Sequence, residues 1–309
     1  MKIVIVGPGA IGCLFAAYLA KSKEEIWLLD KNSQRAAKLN ECGISLEGVS
    51  ANWQAKPKTT ANPQDIGQAD LIIICVKSFH TKAAIEQILP LLSPETKILT
   101  LQNGIGNVEI ISELAGEERV MAGVTNEGAT LIDTGKIRHA GRGETIIGAI
   151  DGKTPVAMRA IREIFNQVGL ECKMSRDIKS LLWSKLIINV GINALSAITR
   201  LPNGKLIEYE GTRRILRDAV TEAARIAKRK RIKLIFDDPL AKVEAVCEGT
   251  QKNLSSMLQD VLRKKRTEVD FINGVIVRLA QELSIDVPTN KFLLDLIKTI
   301  EYSYTESAP

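Results

Sequence analysis

Short β-branched and aliphatic runs recur through the first half of the chain, at residues 3–6, 25–29, 71–76, 97–101 and 120–124. Between or beside them, residues 11–20, 33–42, 81–91 and 108–114 carry apolar positions at helical spacing. Strands that alternate with helices in this way predict a parallel sheet covered by helices on both faces. Residues 130–150 then alternate in polarity and include Gly135, Gly141, Gly143 and Gly148, which predicts antiparallel strands extending that sheet. A helix over 155–169 and a strand near 170–174 complete this region.

Beyond about residue 176 the texture changes. Residues 178–198, 205–229, 239–246 and 263–283 are long amphipathic stretches with little strand character, and the remainder to about Tyr304 also reads as helix. The expected fold is therefore α/β plus all-α: a Rossmann-type dinucleotide-binding domain over 1–176, then an all-helical domain over 177–309. No repeat, low-complexity tract or long linker separates them, so the domains are expected to abut, with their cleft the default place for a substrate.

Composition narrows the function classes. A chain of 309 residues suits two domains better than one core. Aromatics are only 4% of the chain, so stacking platforms for bases are not advertised. No unbroken apolar run approaches the ~20 residues of a spanning helix, and Met1-Lys2 leads straight into a strand, so the protein reads as cytoplasmic. Cys13, Cys42, Cys75, Cys172 and Cys247 form no Cys-x-x-Cys pair and read as reduced thiols, with Cys13 and Cys75 packed in apolar runs. His80 and His139 are the only histidines, which argues against a metal site. The net charge of +6 gathers in RIAKRKRIK (225–233) and RKKR (263–266), both on helix-like stretches, and these read as solvated faces. The expected partner is a small molecule, with neither nucleic acid nor membrane, and a homodimer is left open as the assembly.

The chemistry begins at the N-terminus. The run Gly7-Pro8-Gly9-Ala10-Ile11-Gly12 follows a strand and opens a helix of small and apolar residues. In such a turn the first glycine permits the bend, the second lets a pyrophosphate approach the backbone, and the third packs helix against strand. A dinucleotide is the expected ligand. Asp30 and Lys31, at the end of the second strand, point in opposite directions. The acid favours the ribose 2′-hydroxyl of NAD, and the base favours the 2′-phosphate of NADP, with Arg35 one helical turn further on.

A second signal lies in the helical half. Lys185, Asn189 and Asn193 recur every four residues and share one face of an otherwise apolar helix. Buried polar groups need partners, and a lysine there has its pKa lowered toward neutrality, which suits a proton donor to a ketone oxygen. Gly191 between the asparagines removes bulk and reads as part of a recessed ligand face.

These residues carry a resemblance along essentially the whole chain. The glycine turn, Cys75-Val76-Lys77, Gln102-Asn103-Gly104, the Lys185/Asn189/Asn193 stripe, Pro202-Asn203-Gly204, the segment Asn253 to Asp260 and Thr267-Glu268-Val269-Asp270 together resemble the ketopantoate reductase family, within the 6-phosphogluconate-dehydrogenase-like group. The resemblance implies reduction of 2-dehydropantoate to (R)-pantoate with NADPH, a step toward pantothenate and coenzyme A. It implies Lys185 as proton donor and Glu268 as an acidic residue at the nicotinamide end. It further implies Asn189, Asn193, Asn203 and Ser256 at the substrate, Asn103 at both ligands, and Lys77 and the Ala129 backbone at the cofactor. Asp30 departs from the neutral residue usual in the family, so NADPH is expected as the main cofactor with appreciable NADH use. Two alternatives stand beside this reading: a related reductase for another 2-oxo or 3-hydroxy acid, and a non-catalytic NADP(H) sensor.

Overall fold

The computed structural model describes residues 1–50 and 52–305. Its first part runs β1 (Lys2–Val6), α1 (Ala10–Leu19), β2 (Glu25–Leu29), α2 (Ser33–Cys42), β3 (Ile44–Gly48), β4 (Trp53–Ala55), β5 (Lys58–Thr60), β6 (Leu71–Ile74), α3 (Thr81–Ile88), β7 (Lys97–Thr100), α4 (Asn107–Ala115), β8 (Val120–Thr125), β9 (Gly128–Asp133), β10 (Lys136–Gly141), β11 (Thr145–Ala149), α5 (Val156–Gln167) and β12 (Cys172–Met174). The second part is helical: α6 (Ile178–Thr199), α7 (Lys205–Glu208), α8 (Glu210–Arg229), α9 (Pro239–Gly249), α10 (Ser256–Leu262), α11 (Asn273–Leu283) and α12 (Pro288–Ser303).

The main sheet has eight strands in the order β12-β11-β8-β7-β6-β1-β2-β5, parallel throughout except where β11 runs against β8. Strand alternation explains its two-sided burial. Ile3 and Ile5 of β1 enter one apolar cluster with α1 and α5, whereas Val4 and Val6 enter another with α3.

Only part of the 130–150 stretch extends this sheet. β11 does so, but β9 and β10 join β3 and β4 in a separate four-stranded sheet of order β4-β3-β10-β9. Alternation sets which face of a strand is apolar, not which strand it pairs with. Here β10 pairs in parallel with β3, more than eighty residues earlier.

The chain divides into two compact units: Met1–Gln102 with Asn107–Ile178, and Asn103–Gly106 with Lys179–Pro309. The four-residue loop groups with the helical unit for a local reason. Ile105 N–H donates to the Phe271 carbonyl at 3.0 Å, and Gly104, at φ +83°, sits so close that an added Cβ would lie 2.3 Å from that oxygen.

In the helical unit, α6 supplies Trp183, Leu186, Ile187, Val190 and Leu195 to the core. By length and composition α6 is apolar enough to cross a membrane, but 67% of its most apolar stretch is buried inside the protein. The stretch expected over 178–198 is thus a single core helix. Gly191 serves this packing and not a ligand face: an added Cβ would lie 2.8 Å from Val220 and 2.9 Å from Val243. The residue is two positions from each asparagine, so it points away from their stripe and lets α8 and α9 approach.

Two predicted helices break. Extended backbone at Tyr209 divides α7 from α8. The run 263–283 is not continuous, because α10 stops at Leu262, Lys264 turns left-handed at φ 51°, and Lys265 N–H bonds back to the Asp260 carbonyl at 2.9 Å. The basic run 263–266 is therefore a helix terminus and loop, with helix resuming at Asn273.

Candidate active site

In the first unit the strand order reverses at β1, with β2 and β5 to one side and β6 to the other. Ligands of open parallel sheets gather beyond the carboxyl ends of strands at such a switch. Gly7 follows β1 there, and Cys75-Val76-Lys77 follows β6. The three glycines then divide the work. At Gly7 (φ +99°) a Cβ would lie 2.7 Å from Val76 Cγ1, and at Gly12 one would lie 2.0 Å from the Gly7 carbonyl oxygen. Gly9 differs: the nearest atom to its Cβ position is the Cys75 carbonyl oxygen, 4.0 Å away. The space over Gly9 is open, and it lies at the N-cap of α1. Pro8 beside it is buried, while Ala10 and Ile11 open the helix partly exposed.

No side chain caps that helix, and its first turn holds no acid. Its leading N–H groups and positive dipole end are left for an anion, which fits the pyrophosphate of a dinucleotide. Cys13 behind the turn is fully buried, and burial pushes its thiol up to about 12, as it does that of Cys75. Both are packing residues, unsuited to thiolate chemistry.

At the end of β2, Asp30 is 1% exposed and already committed. Arg35 reaches it with Nε at 2.5 Å from Oδ2 and Nη2 at 2.6 Å from Oδ1, and Asn32 N–H donates to Oδ1 at 3.0 Å. Asn32 in turn caps α2 by accepting from Arg35 N–H at 2.8 Å, so one short turn fixes both groups. Lys31 is exposed, with its Nζ 3.1 Å from His80 Nε2. Lys77 is half-buried at the start of a 3-10 turn over Ser78–His80.

Ala129 stands in β9 opposite His139 of β10. Here the structure holds a cluster that the sequence did not announce. His139 Nε2 lies 2.6 Å from Glu127 Oε2, and its Nδ1 faces Ser50 Oγ at 3.2 Å and Tyr18 Oη at 3.4 Å, all buried. With Nε2–H donating to the carboxylate, Nδ1 has one lone pair to accept from a hydroxyl, and Ser50 Oγ is the nearer of the two. The sequence signal was an acid just before, and a histidine within, the stretch of alternating polarity, which is too common to single out.

In the helical unit, α6 places Lys185, Asn189 and Asn193 one and two turns apart. Burial lowers the Lys185 pKa to about 8, and the nearby Glu268 charge opposes that fall. Glu268, 6% exposed, sits where the backbone enters the 3-10 turn Val269–Phe271, and its carbonyl accepts from Phe271 N–H at 3.0 Å. Asn103 opens the loop packed on that same turn. Asn193 is 5% exposed and Asn203 8%, yet Asn193 Nδ2 and Asn203 Oδ1 have no hydrogen-bond partner. An orphaned buried polar atom costs about 1–3 kcal/mol; Asn273 Oδ1 and Tyr304 Oη of the same unit are orphaned too, and the Asn193 and Asn203 atoms fit a polar ligand. Ser256 is exposed at the first position of α10. The capping task falls to its neighbour Ser255, whose Oγ accepts from Leu258 N–H at 3.1 Å, leaving the Ser256 hydroxyl out of the cap.

Similarity to known proteins covers both units. A family model described as "Ketopantoate reductase PanE/ApbA" matches residues 3–152, and its C-terminal companion matches residues 177–301. A 2-dehydropantoate 2-reductase of Pyrococcus horikoshii is 36% identical over 302 residues, covering 97% of this chain and 98% of its own. Among solved structures, a PanE/ApbA family ketopantoate reductase from Ralstonia eutropha superimposes with a TM-score of 0.91 at 34% identity, covering 99% of this chain and all of the other. A D-mandelate dehydrogenase solved with NADH and anilino(oxo)acetate also gives 0.91, at 26% identity, covering 99% of this chain and 100% of that one.

Proposed function

The chain belongs to the ketopantoate reductase family, and from that premise we propose that it reduces 2-dehydropantoate to (R)-pantoate with NADPH, the first unit holding the dinucleotide and the second the substrate. The observation that carries the reading is Lys185: a half-buried lysine with a pKa near 8, on the same helix face as two asparagines, one with an unpartnered amide nitrogen.

Bound at the glycine turn, a nicotinamide dinucleotide supplies hydride to the ketone carbon. Lys185 Nζ gives the ketone oxygen its proton. With a pKa near 8 it is mostly protonated at neutral pH and still yields a proton more readily than an ordinary lysine. Glu268 keeps that ammonium charged against the desolvation that would strip it. Asn189, Asn193, Asn203 and Ser256 orient the substrate through amide and hydroxyl groups, and Asn103 serves both ligands. Lys77 and the Ala129 backbone contact the cofactor.

The preference for NADPH rests on Asp30. The carboxylate that would otherwise accept a ribose 2′-hydroxyl is buried and saturated by Arg35 and Asn32, so Lys31 and Arg35 leave the local balance cationic. Purified protein mixed with NADPH and 2-dehydropantoate tests the whole reading: NADPH is expected to be oxidised, and no turnover overturns it.

The likeness to D-mandelate dehydrogenase supports one rival, a reductase of a different 2-oxo acid. A substrate panel separates the two. Faster turnover of an aromatic 2-oxo acid than of 2-dehydropantoate favours the rival.

A further inference from the structure

The orphaned oxygen of Asn203 has a specific cause. Thr250, at the C-cap of α9, places its Oγ1 2.6 Å from the Val246 carbonyl oxygen one turn back. Two oxygens approach so closely only with a hydrogen between them, and a threonine hydroxyl has one hydrogen to give. The Thr250 hydroxyl is therefore spent on Val246 and offers only lone pairs elsewhere. Asn203 lies 2.9 Å from that same Oγ1 through Nδ2. The reversed carboxamide would set its oxygen against a hydroxyl with no hydrogen left, so the amide nitrogen must face Thr250.

The backbone holds this frame on both sides. Asn203 N–H donates to the Asn253 carbonyl at 3.0 Å, and Gly204 N–H to that of Gln251 at 3.2 Å. An added Cβ at Gly204 would lie 2.8 Å from Gln251 Cα. The turn at 202–204 is thus locked to the loop at 250–253, and the Asn203 side chain has a single settled orientation. What it leaves unpartnered is an acceptor, the carbonyl oxygen.

We propose that Thr250 is a positioning residue that fixes the Asn203 carboxamide with its carbonyl oxygen as the free group, and so selects 2-oxo acids that carry an alcohol hydroxyl. Near neutral pH a 2-oxo acid presents carboxylate and ketone oxygens that only accept hydrogen bonds. An alcohol is the one group on such a molecule with a hydrogen to give to Asn203. Asn193, whose free atom is the donor Nδ2, meets an acceptor oxygen instead. The inference rests on the reading of Asn203 as a substrate contact, and it adds which end of the substrate that contact recognises and why.

The test compares 2-dehydropantoate with 3,3-dimethyl-2-oxobutanoate, the same skeleton without the hydroxyl, in wild type, Thr250→Val and Thr250→Ser. A site built to pair a hydroxyl rejects the analogue lacking it, so wild type is expected to prefer 2-dehydropantoate by roughly 10²-fold or more in kcat/KM. Thr250→Val removes the acceptor that orients Asn203. Its preference should fall by about tenfold, chiefly through KM for the hydroxylated acid, with KM for the analogue little changed. Thr250→Ser should restore the wild-type ratio. Calorimetric titration of (R)-pantoate with NADP⁺ present should show the same loss of affinity in Thr250→Val. Unaltered NADPH affinity marks a folded variant, and Thr250→Ala, judged by the same ratio, replaces a valine variant that fails to fold. A wild-type preference that survives Thr250→Val, or an equal loss on both substrates, overturns this inference alone. Absence of wild-type turnover of 2-dehydropantoate overturns the functional reading on which it rests.

Discussion

Arg35 grips Asp30 as a fork, with Nε 2.5 Å from one carboxylate oxygen and Nη2 2.6 Å from the other. The Asp30 side chain is fully buried in this grip, while that of Arg35 remains 42% exposed. Both oxygens of an acid at the end of β2 are thereby engaged within the protein. Arg35→Leu frees the carboxylate and deletes a cation at once. The expected result is a shift of about tenfold in relative kcat/KM from NADPH toward NADH. Steady-state kinetics with both cofactors measure it, and an unmoved ratio shows that the pair plays no part in cofactor choice.

The glycine turn predicts two dissimilar alanine variants. Gly12→Ala drives a Cβ to 2.0 Å from the Gly7 carbonyl oxygen, so stability and dinucleotide affinity should fall together. Gly9→Ala meets no protein atom nearer than 4.0 Å. It should melt within a few degrees of wild type yet bind NADPH at least about tenfold more weakly, because the methyl group occupies the pyrophosphate's approach. Thermal melts paired with NADPH titrations separate the two, and normal NADPH affinity in Gly9→Ala excludes the assigned role.

Lys185→Ala should lower kcat by about 10²–10⁴-fold with a much smaller effect on NADPH binding. The sign of the pH dependence follows from the donor's task. Only the protonated amine can donate, so kcat/KM should be level below pH 8 and fall by about tenfold per unit above it. Glu268 raises the Lys185 pKa, so Glu268→Gln should move that alkaline limb to lower pH. A limb that stays put, or a Lys185→Ala enzyme of near-normal kcat, removes Lys185 from the proton transfer.

His139 and Glu127 tie β10 to the segment leading into β9, and their side chains are only 1% and 4% exposed. His139→Ala leaves a buried carboxylate without its shortest partner, which should cost about 2–4 kcal/mol of stability. Urea denaturation checks this value. Because β9 carries Ala129, KM for NADPH should also rise, whereas a variant at wild-type stability would show that Glu127 finds equal partners elsewhere.

Much of the architecture was legible because it depends on short-range periodicity. The β1 strand, the glycine turn and α1 announce themselves within twenty residues, and the Lys185 stripe follows from the pitch of a helix. Gly191 was misread for an instructive reason: its neighbours in sequence are the asparagines of the polar stripe, but two residues of helix turn it toward Val220 and Val243. Adjacency in sequence is not adjacency on a surface. The RKKR run likewise looked helical by composition, but left-handed backbone at Lys264 and the bond from Lys265 back to Asp260 end the helix before it.

By itself the sequence determined the fold class, the place of the glycine turn and the polar face of α6, since each depends on residue type at fixed local spacing. Tertiary structure decided what those groups are free to do. Arg35 engages both carboxylate oxygens of Asp30, and β10 finds β3 across more than eighty residues. Thr250 orients Asn203 from 47 positions away. A hydrogen-bonding group has only so many hydrogens and lone pairs, and which of them remain for a ligand depends on neighbours that the order of the chain does not name.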